Sequence, residues 1–510
     1  MSIRERYTSW RKTSMNDENS MKTSWPARPV IYEINTWVWL NELSRQNQRT
    51  ITLGTVPTEQ WDELASLDVD AVWLMGVWER SPAGMRIANE NAALQADFHS
   101  ALPDYTPADN VGSAYCVHRY VVDEHLGGPD GLAVARQMLA QSGLRLILDF
   151  VPNHVAPDHP WVFEHPAFFV QGTREDLAQA PGAFFEAGGT VIANGRDPYF
   201  PPWQDVAQLN SFSPPLRQAV IETLNSVAEQ CDGMRCDMAM LLLNNIFEQT
   251  WGGRVGGPPP EEYWREVISA VRLQHPNVLF MAEAYWDLEW ELQQVGFDYC
   301  YDKRLYDRLE HDNAESVRLH LTAGLDYQDK LVRFIENHDE PRAAATFTPE
   351  IERVAALTIM TLPGAKLLYE GQFEGRRVRP PVFLARRPVE PIDSELQAFY
   401  HQLLAAVKEA GLSKGDWRLC ERSGWPDNSS YLNLVAWCWS LGEARYLVVV
   451  NLSEYQSQAR IQLPWDNLAR RAWQLTDMLS GDMFEREGDE MQLTGLYVDL
   501  PAWRFYFLRF

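Results

Sequence analysis

The sequence has no apolar run approaching the ~20 residues that a membrane-spanning helix needs. Positive charge is short too: 45 lysines and arginines stand against 70 aspartates and glutamates, a formal net charge of -25. That balance argues against nucleic acid or an anionic membrane surface as a partner. Cysteine is sparse, with six in 510 residues. Cys116, Cys231, Cys236 and Cys300 stand singly, and no C-x-x-C pair suggests zinc. The basic amino terminus is not followed by an apolar stretch, so it does not read as a secretory signal, and residues 1–27 read as a flexible tail. Free thiols without export point to a cytoplasmic protein. Internal repeats and low-complexity tracts are missing, and a charged fraction of 23% is too low to suggest disorder.

What is present is an alternation of helical periodicity and short apolar runs. Residues 30–40 (VIYEINTWVWL) read as a strand rich in β-branched and aromatic side chains. Pro57 opens a helix with Trp61, Leu64 and Ala65 on one face. Residues 71–77 are a continuous apolar run, as a strand covered on both faces should be, and 144–150 (LRLILDF) reads as a further buried strand. Further strands are expected at 233–240, 278–282, 297–301, 331–335 and 365–369, of which 297–301 is the least clearly marked. Eight strand–helix units predict an α/β fold, a (β/α)₈ barrel over residues 28–410. Between 155 and 208 the periodicity gives way to proline, glycine and aromatics, which reads as a small inserted domain beside the barrel mouth. From 411 to 510 alternating strands predict a C-terminal antiparallel β-sandwich.

Four of the strand ends carry ionisable clusters. The third gives Asp149, Asn153 and His154, and the fourth gives Arg235 and Asp237. The fifth ends in Glu283, and the seventh in Asn337, His338 and Asp339. Active sites of such barrels lie at this end. A single R-x-D is more often a structural ion pair than a catalytic one. Three buried carboxylates facing one mouth, with an arginine and two histidines, are hard to explain structurally.

These segments resemble the conserved regions of the alpha-amylase superfamily of α-retaining glycoside hydrolases and transglycosidases. The D-x-x-x-N-H, R-x-D, glutamate and N-H-D motifs are matched in order, and residues 112–120 (GSAYCVHRY) and 364–372 (GAKLLYEGQ) resemble two further family segments. The resemblance implies an α-glucan or oligosaccharide substrate, with Asp237 as nucleophile and Glu283 as general acid and base. Asp339 would then stabilise the transition state and Tyr115 stack beneath the reacting sugar. His154 and His338 would grip that sugar, with Arg235 keeping Asp237 ionised and Trp286 among the substrate-binding residues. The twenty tryptophans suit a surface that stacks on sugar rings.

The departures matter as much. Where many starch-degrading members carry a lysine–histidine pair, Met240 and Leu241 stand here, so an apolar acceptor side is expected at Met240. Gln208 takes the place of an aspartate that often binds calcium, leaving Asn153 as the recognisable ligand. No metal or cofactor is therefore expected. The expected activity is hydrolysis of short α-glucosidic oligosaccharides. A transglycosidase, isomerase or phosphorolytic transferase, and a non-catalytic binding subunit, remain as alternatives.

Overall fold

The computed structural model describes residues 25–510. Most of the tail expected at 1–27 lies outside the described residues. Eight parallel strands close a barrel: β1 Val30–Asn35, β2 Ala71–Met75, β3 Arg145–Phe150, β4 Gly233–Cys236, β5 Leu279–Ala282, β6 Tyr299–Tyr301, β7 Leu331–Arg333 and β8 Ala365–Tyr369. Each pairs with its neighbours in the chain, and β1 closes on β8 with Val30 opposite Lys366. Side chains alternate across a strand. Ile31, Trp73, Ile147, Met281, Tyr301 and Leu367 fill the lumen as one cluster. Tyr32, Val72, Leu146 and Phe280 belong instead to the larger core shared with the helices.

Three strands differ from expectation, and the one expected over 233–240 stops at Cys236. The strand expected over 30–40 stops at Asn35, whose side chain accepts the Val38 N–H and caps the helix Thr36–Asn47. An asparagine cap outweighs β-propensity in the TWVWL run that follows. The sixth strand is three residues long, which is why its sequence signal is faint.

Helices Gly128–Gln141, Pro214–Ala228, Tyr263–Gln274 and Pro349–Thr361 are among those covering the barrel, and Leu132, Ala135 and Leu139 form the buried stripe of the first. Beyond β3, His154–Val155 pairs with Trp203–Gln208 at the edge of a four-stranded sheet, the core of the inserted region. A second excursion, not expected from the sequence, follows β2. There a hairpin of Trp78–Arg80 and Val117–Val122 carries the helices Pro82–Glu90 and Ala92–Ala101.

The helix Ser394–Ala410 ends at Gly411, whose φ of 62° suits glycine and lets its N–H satisfy the Val407 and Lys408 carbonyls. Beyond it a six-stranded and a three-stranded antiparallel sheet face each other across Leu434, Ala436, Leu447, Ala459 and Val498. The indoles of Trp437 and Trp439 both donate to the Thr361 carbonyl, tying this unit to the barrel. At the N-terminal end of the lumen the Trp25 indole lies against Gly233, where a Cβ would meet it at 3.2 Å, and donates to the Asn277 carbonyl.

Candidate active site

The site is built outward from Arg235. It lies in the lumen, fully buried, with the rings of Trp73, Tyr115 and Tyr301 5.1–5.8 Å from its guanidinium carbon. Its Nη1 is 2.6 Å from Asp237 Oδ1, and its Nη2 is 2.8 Å from Glu283 Oε2. Asp149 and Asp339 stand further off, at 3.8 and 3.9 Å. Four carboxylates thus share one cation. Burial pushes the Asp149 carboxyl up to about 6, with Arg235 opposing.

The local backbone sets the two nearest carboxylates. β4 ends at Cys236, and the Asp237 N–H donates to the Phe150 carbonyl of β3 at 2.8 Å. Met238 then adopts a left-handed conformation with φ 42°, unusual for a residue with a long side chain. That turn brings the Met238 N–H to 2.6 Å from Glu283 Oε2, and Tyr285 Oη donates to Oε1 at 3.0 Å. Strain of this kind gathers at functional sites because the surroundings over-determine the geometry. Burial raises Glu283 to about 7; Arg235 pulls the other way, and Asp237 and Asp339 add to the rise. Burial also raises Asp237, against the same arginine.

Asp339 behaves oppositely. Burial would raise it, but the His338 ring and then Arg235 hold it down, to about 2. His338 Nε2 is 2.8 Å from Asp339 Oδ2 and 2.6 Å from Tyr115 Oη, and the two rings stack with centroids 5.3 Å apart. His338 Nδ1 meets Glu33 Oε1 of β1 at 2.5 Å. Glu33 was not singled out from the sequence. The signal was there: one carboxylate inside an otherwise apolar strand, VIYEIN, must find a partner.

Asp237, Glu283, Asp339, Tyr115 and His154 line one cavity of about 590 Å³. His154 is driven down to about 4 by burial, so its ring is neutral, and Trp203 packs 5.5 Å from it. Asp205, which was not among the candidate site residues, contributes a fourth carboxylate. Trp286 lies in an adjoining cavity of about 380 Å³ that shares Met238 and Tyr285 with the first. Met240 is placed elsewhere and must be corrected. It sits on the single turn Ala239–Leu242, fully buried in the core, because the left-handed residue before that turn swings the chain inward. Met238 supplies the apolar side chain on that flank.

The residues in the calcium-like position do not fit that ion. The Gln208 amide nitrogen donates to Asn153 O and Asn153 Oδ1, both at 2.9 Å, and to Leu209 O at 3.1 Å. An N–H donor thus points at the oxygens that a hard cation would need, and such a cation wants six to eight of them.

The family model of the alpha amylase catalytic domain matches residues 54–380. Alpha-amylase MalA of Haloarcula japonica is 23% identical over 479 residues, covering 91% of this chain and 60% of that protein. The probable oligo-1,6-glucosidase 2 of Bacillus subtilis is 24% identical over 341 residues, covering 56% of this chain and 60% of its own length. The chain therefore spans about 60% of these relatives. Among solved structures, an alpha-amylase from H. orenii superposes with a TM-score of 0.67 at 18% identity, covering 95% of this chain and all of the other. The maltogenic alpha-amylase AmyB of Thermotoga neapolitana gives 0.66 at 16%, covering 96% and 99%; at such identities the likeness is one of fold. With the family model spanning most of the barrel and its motifs meeting around Arg235, the chain belongs to the alpha-amylase family.

Proposed function

We propose that the protein is a retaining α-glycosidase acting on short α-glucosidic oligosaccharides through a covalent glycosyl-enzyme intermediate. The observation that carries this reading is the shared guanidinium. Carboxylates at the two ends of Arg235 are compatible with the ~5–5.5 Å separation of retaining enzymes. Asp237 attacks the anomeric carbon. Glu283, with a carboxyl pushed up to about 7, gives its proton to the leaving oxygen and later takes one from the acceptor. Asp339, held ionised, binds ring hydroxyls and offsets the oxocarbenium charge, while Tyr115 and His154 orient the ring.

The adjoining cavity with Trp286 and Phe200 supports a sugar as an alternative acceptor, giving transfer products at high substrate. The four carboxylates of the first cavity disfavour phosphate there, while Lys303 and Arg304 on the wall of the adjoining cavity leave phosphate as an acceptor for the product analysis to decide. Six free, buried cysteines support a reducing, cytoplasmic setting. The test is product analysis on maltose, maltotriose, longer maltodextrins, sucrose and trehalose, with and without phosphate. Time-resolved NMR should show the α-anomer first. A β-anomer appearing first would overturn the double displacement.

A further inference from the structure

Glu33 lies at the centre of β1, fully buried and outside the cavity wall, with its side chain in the lumen two residues on from Ile31. Among the described residues its carboxylate pairs with His338. The two ring nitrogens of His338 each face a carboxylate: Glu33 Oε1 at 2.5 Å from Nδ1, and Asp339 Oδ2 at 2.8 Å from Nε2. A carboxylate accepts hydrogen bonds, so a ring between two of them is best satisfied with a proton on each nitrogen. In a neutral ring Tyr115 Oη, 2.6 Å away, could donate to a bare Nε2, but the same lone pair would then oppose Asp339 Oδ2 at 2.8 Å. We propose that Glu33 is a positioning residue that keeps His338 a doubly protonated imidazolium, and that this cation fixes Asp339 and Tyr115 for the reaction.

Several other groups face the ring. Tyr115 Oη lies 2.6 Å from Nε2, and the Trp73 ring of β2 meets it edge-on at 5.4 Å. Asp149 of β3 acts on it through space, and Arg235 of β4 stands 3.9 Å from Asp339 Oδ2. Asp149 favours the charged ring and Arg235 opposes it, so the two carboxylates in contact tip the balance. The raised affinity of His338 for its proton agrees: burial opposes it, and Asp339 followed by Glu33 outweigh the burial. The arrangement divides the work. Asp339 touches the substrate, His338 holds Asp339, and Glu33 holds His338 from β1, two strands round the barrel from β7.

The test uses Glu33→Gln, which keeps the shape and removes the charge. Losing an opposite charge within hydrogen-bond reach moves a pKa by about 1–3 units. Histidine ¹⁵N NMR on the wild-type protein at pH 8.5, with the His338 signal identified by its loss in His338→Gln, should show an imidazolium. The same signal in Glu33→Gln should be that of a neutral ring. A neutral His338 in the wild type, or an imidazolium in both, overturns the proposal. A neutral wild-type ring overturns the proposal even if Glu33→Gln does not fold, and Glu33→Asp, which keeps the charge, should then retain the imidazolium.

The kinetic readout is kcat/KM for α-glucosyl fluoride, whose leaving group makes little demand on the acid Glu283. Its alkaline limb should fall by about 1–3 pH units in Glu33→Gln. An unmoved limb with a folded variant also overturns the proposal. The kinetic half rests on the glycosidase reading and the NMR half does not. Absence of fluoride release from the wild type would therefore count against that reading and leave the NMR to decide on Glu33.

Discussion

Arg333 on β7 and Arg235 on β4 are both sealed from solvent, yet one faces the helical layer and the other the lumen. Arg333 alternates with the lumen residue Val332 and bonds Asp302, Gln328 and the Pro363 carbonyl, so each of its nitrogens has a partner. Arg235 has one aligned hydrogen bond, to Asp237, while its Nε and Nη2 lack one. Around it stand Asp237, Glu283, Asp149 and Asp339, more carboxylate than one cation can neutralise. A satisfied buried ion pair holds structure. An over-subscribed one keeps carboxyl groups poised between their two protonation states.

The sharpest way to break this contrast is to remove the poised groups. Asp237→Asn and Glu283→Gln should each lower kcat by at least about a thousandfold, with thermal unfolding nearly unchanged. Wild-type rates in either purified, folded variant would end the proposed mechanism. Arg333→Met should do the reverse. Breaking a fully buried pair is expected to cost about 3–5 kcal/mol of stability, read as a lowered unfolding midpoint, while kcat per folded molecule stays close to normal. Lost activity at full stability would show that the two arginines are not divided as described.

Smaller effects sharpen the comparison. Tyr115→Ala should weaken kcat/KM by about 1–3 kcal/mol through lost stacking and positioning, whereas a purely structural tyrosine would lower the melting temperature and spare activity. The pH dependence on natural oligosaccharides carries a definite sign. Glu283 acts as its acid form, so kcat/KM should fall as pH rises through about 7. It should fall on the acid side as Asp237, raised by burial from its ordinary value, takes up a proton. A flat profile from pH 6 to 9 would contradict the poised pair. The smallest effect concerns Gln208: EDTA should move the melting temperature by less than about 1 °C, because the Gln208 amide already donates to the oxygens that a cation would need. A large drop reversed by calcium would overturn the description of that corner.

Much of this was legible because lumen strands write themselves as apolar runs. β2, β3 and β8 were found almost to the residue, since strands buried on both faces tolerate few polar side chains. The motif residues could be read because a carboxylate at a buried strand end is too costly to be incidental. Three things were not legible. The end of β1 depended on Asn35 serving as a cap rather than as a strand residue. The burial of Met240 depended on the left-handed turn at Met238, which no residue type announces. The partnership of Glu33 with His338 joins residues 305 positions apart, and only closure of β1 onto β8 brings them together.

The Trp25 indole stoppers the barrel at the end opposite the cavity. That orientation has a practical side. An enzyme tethered to a bead from the face around Trp25 and Asn277 would present the cavity to the surrounding solution and the Trp25 end to the support. Tethering from the rim near Phe200 would set the support against the acceptor entrance instead.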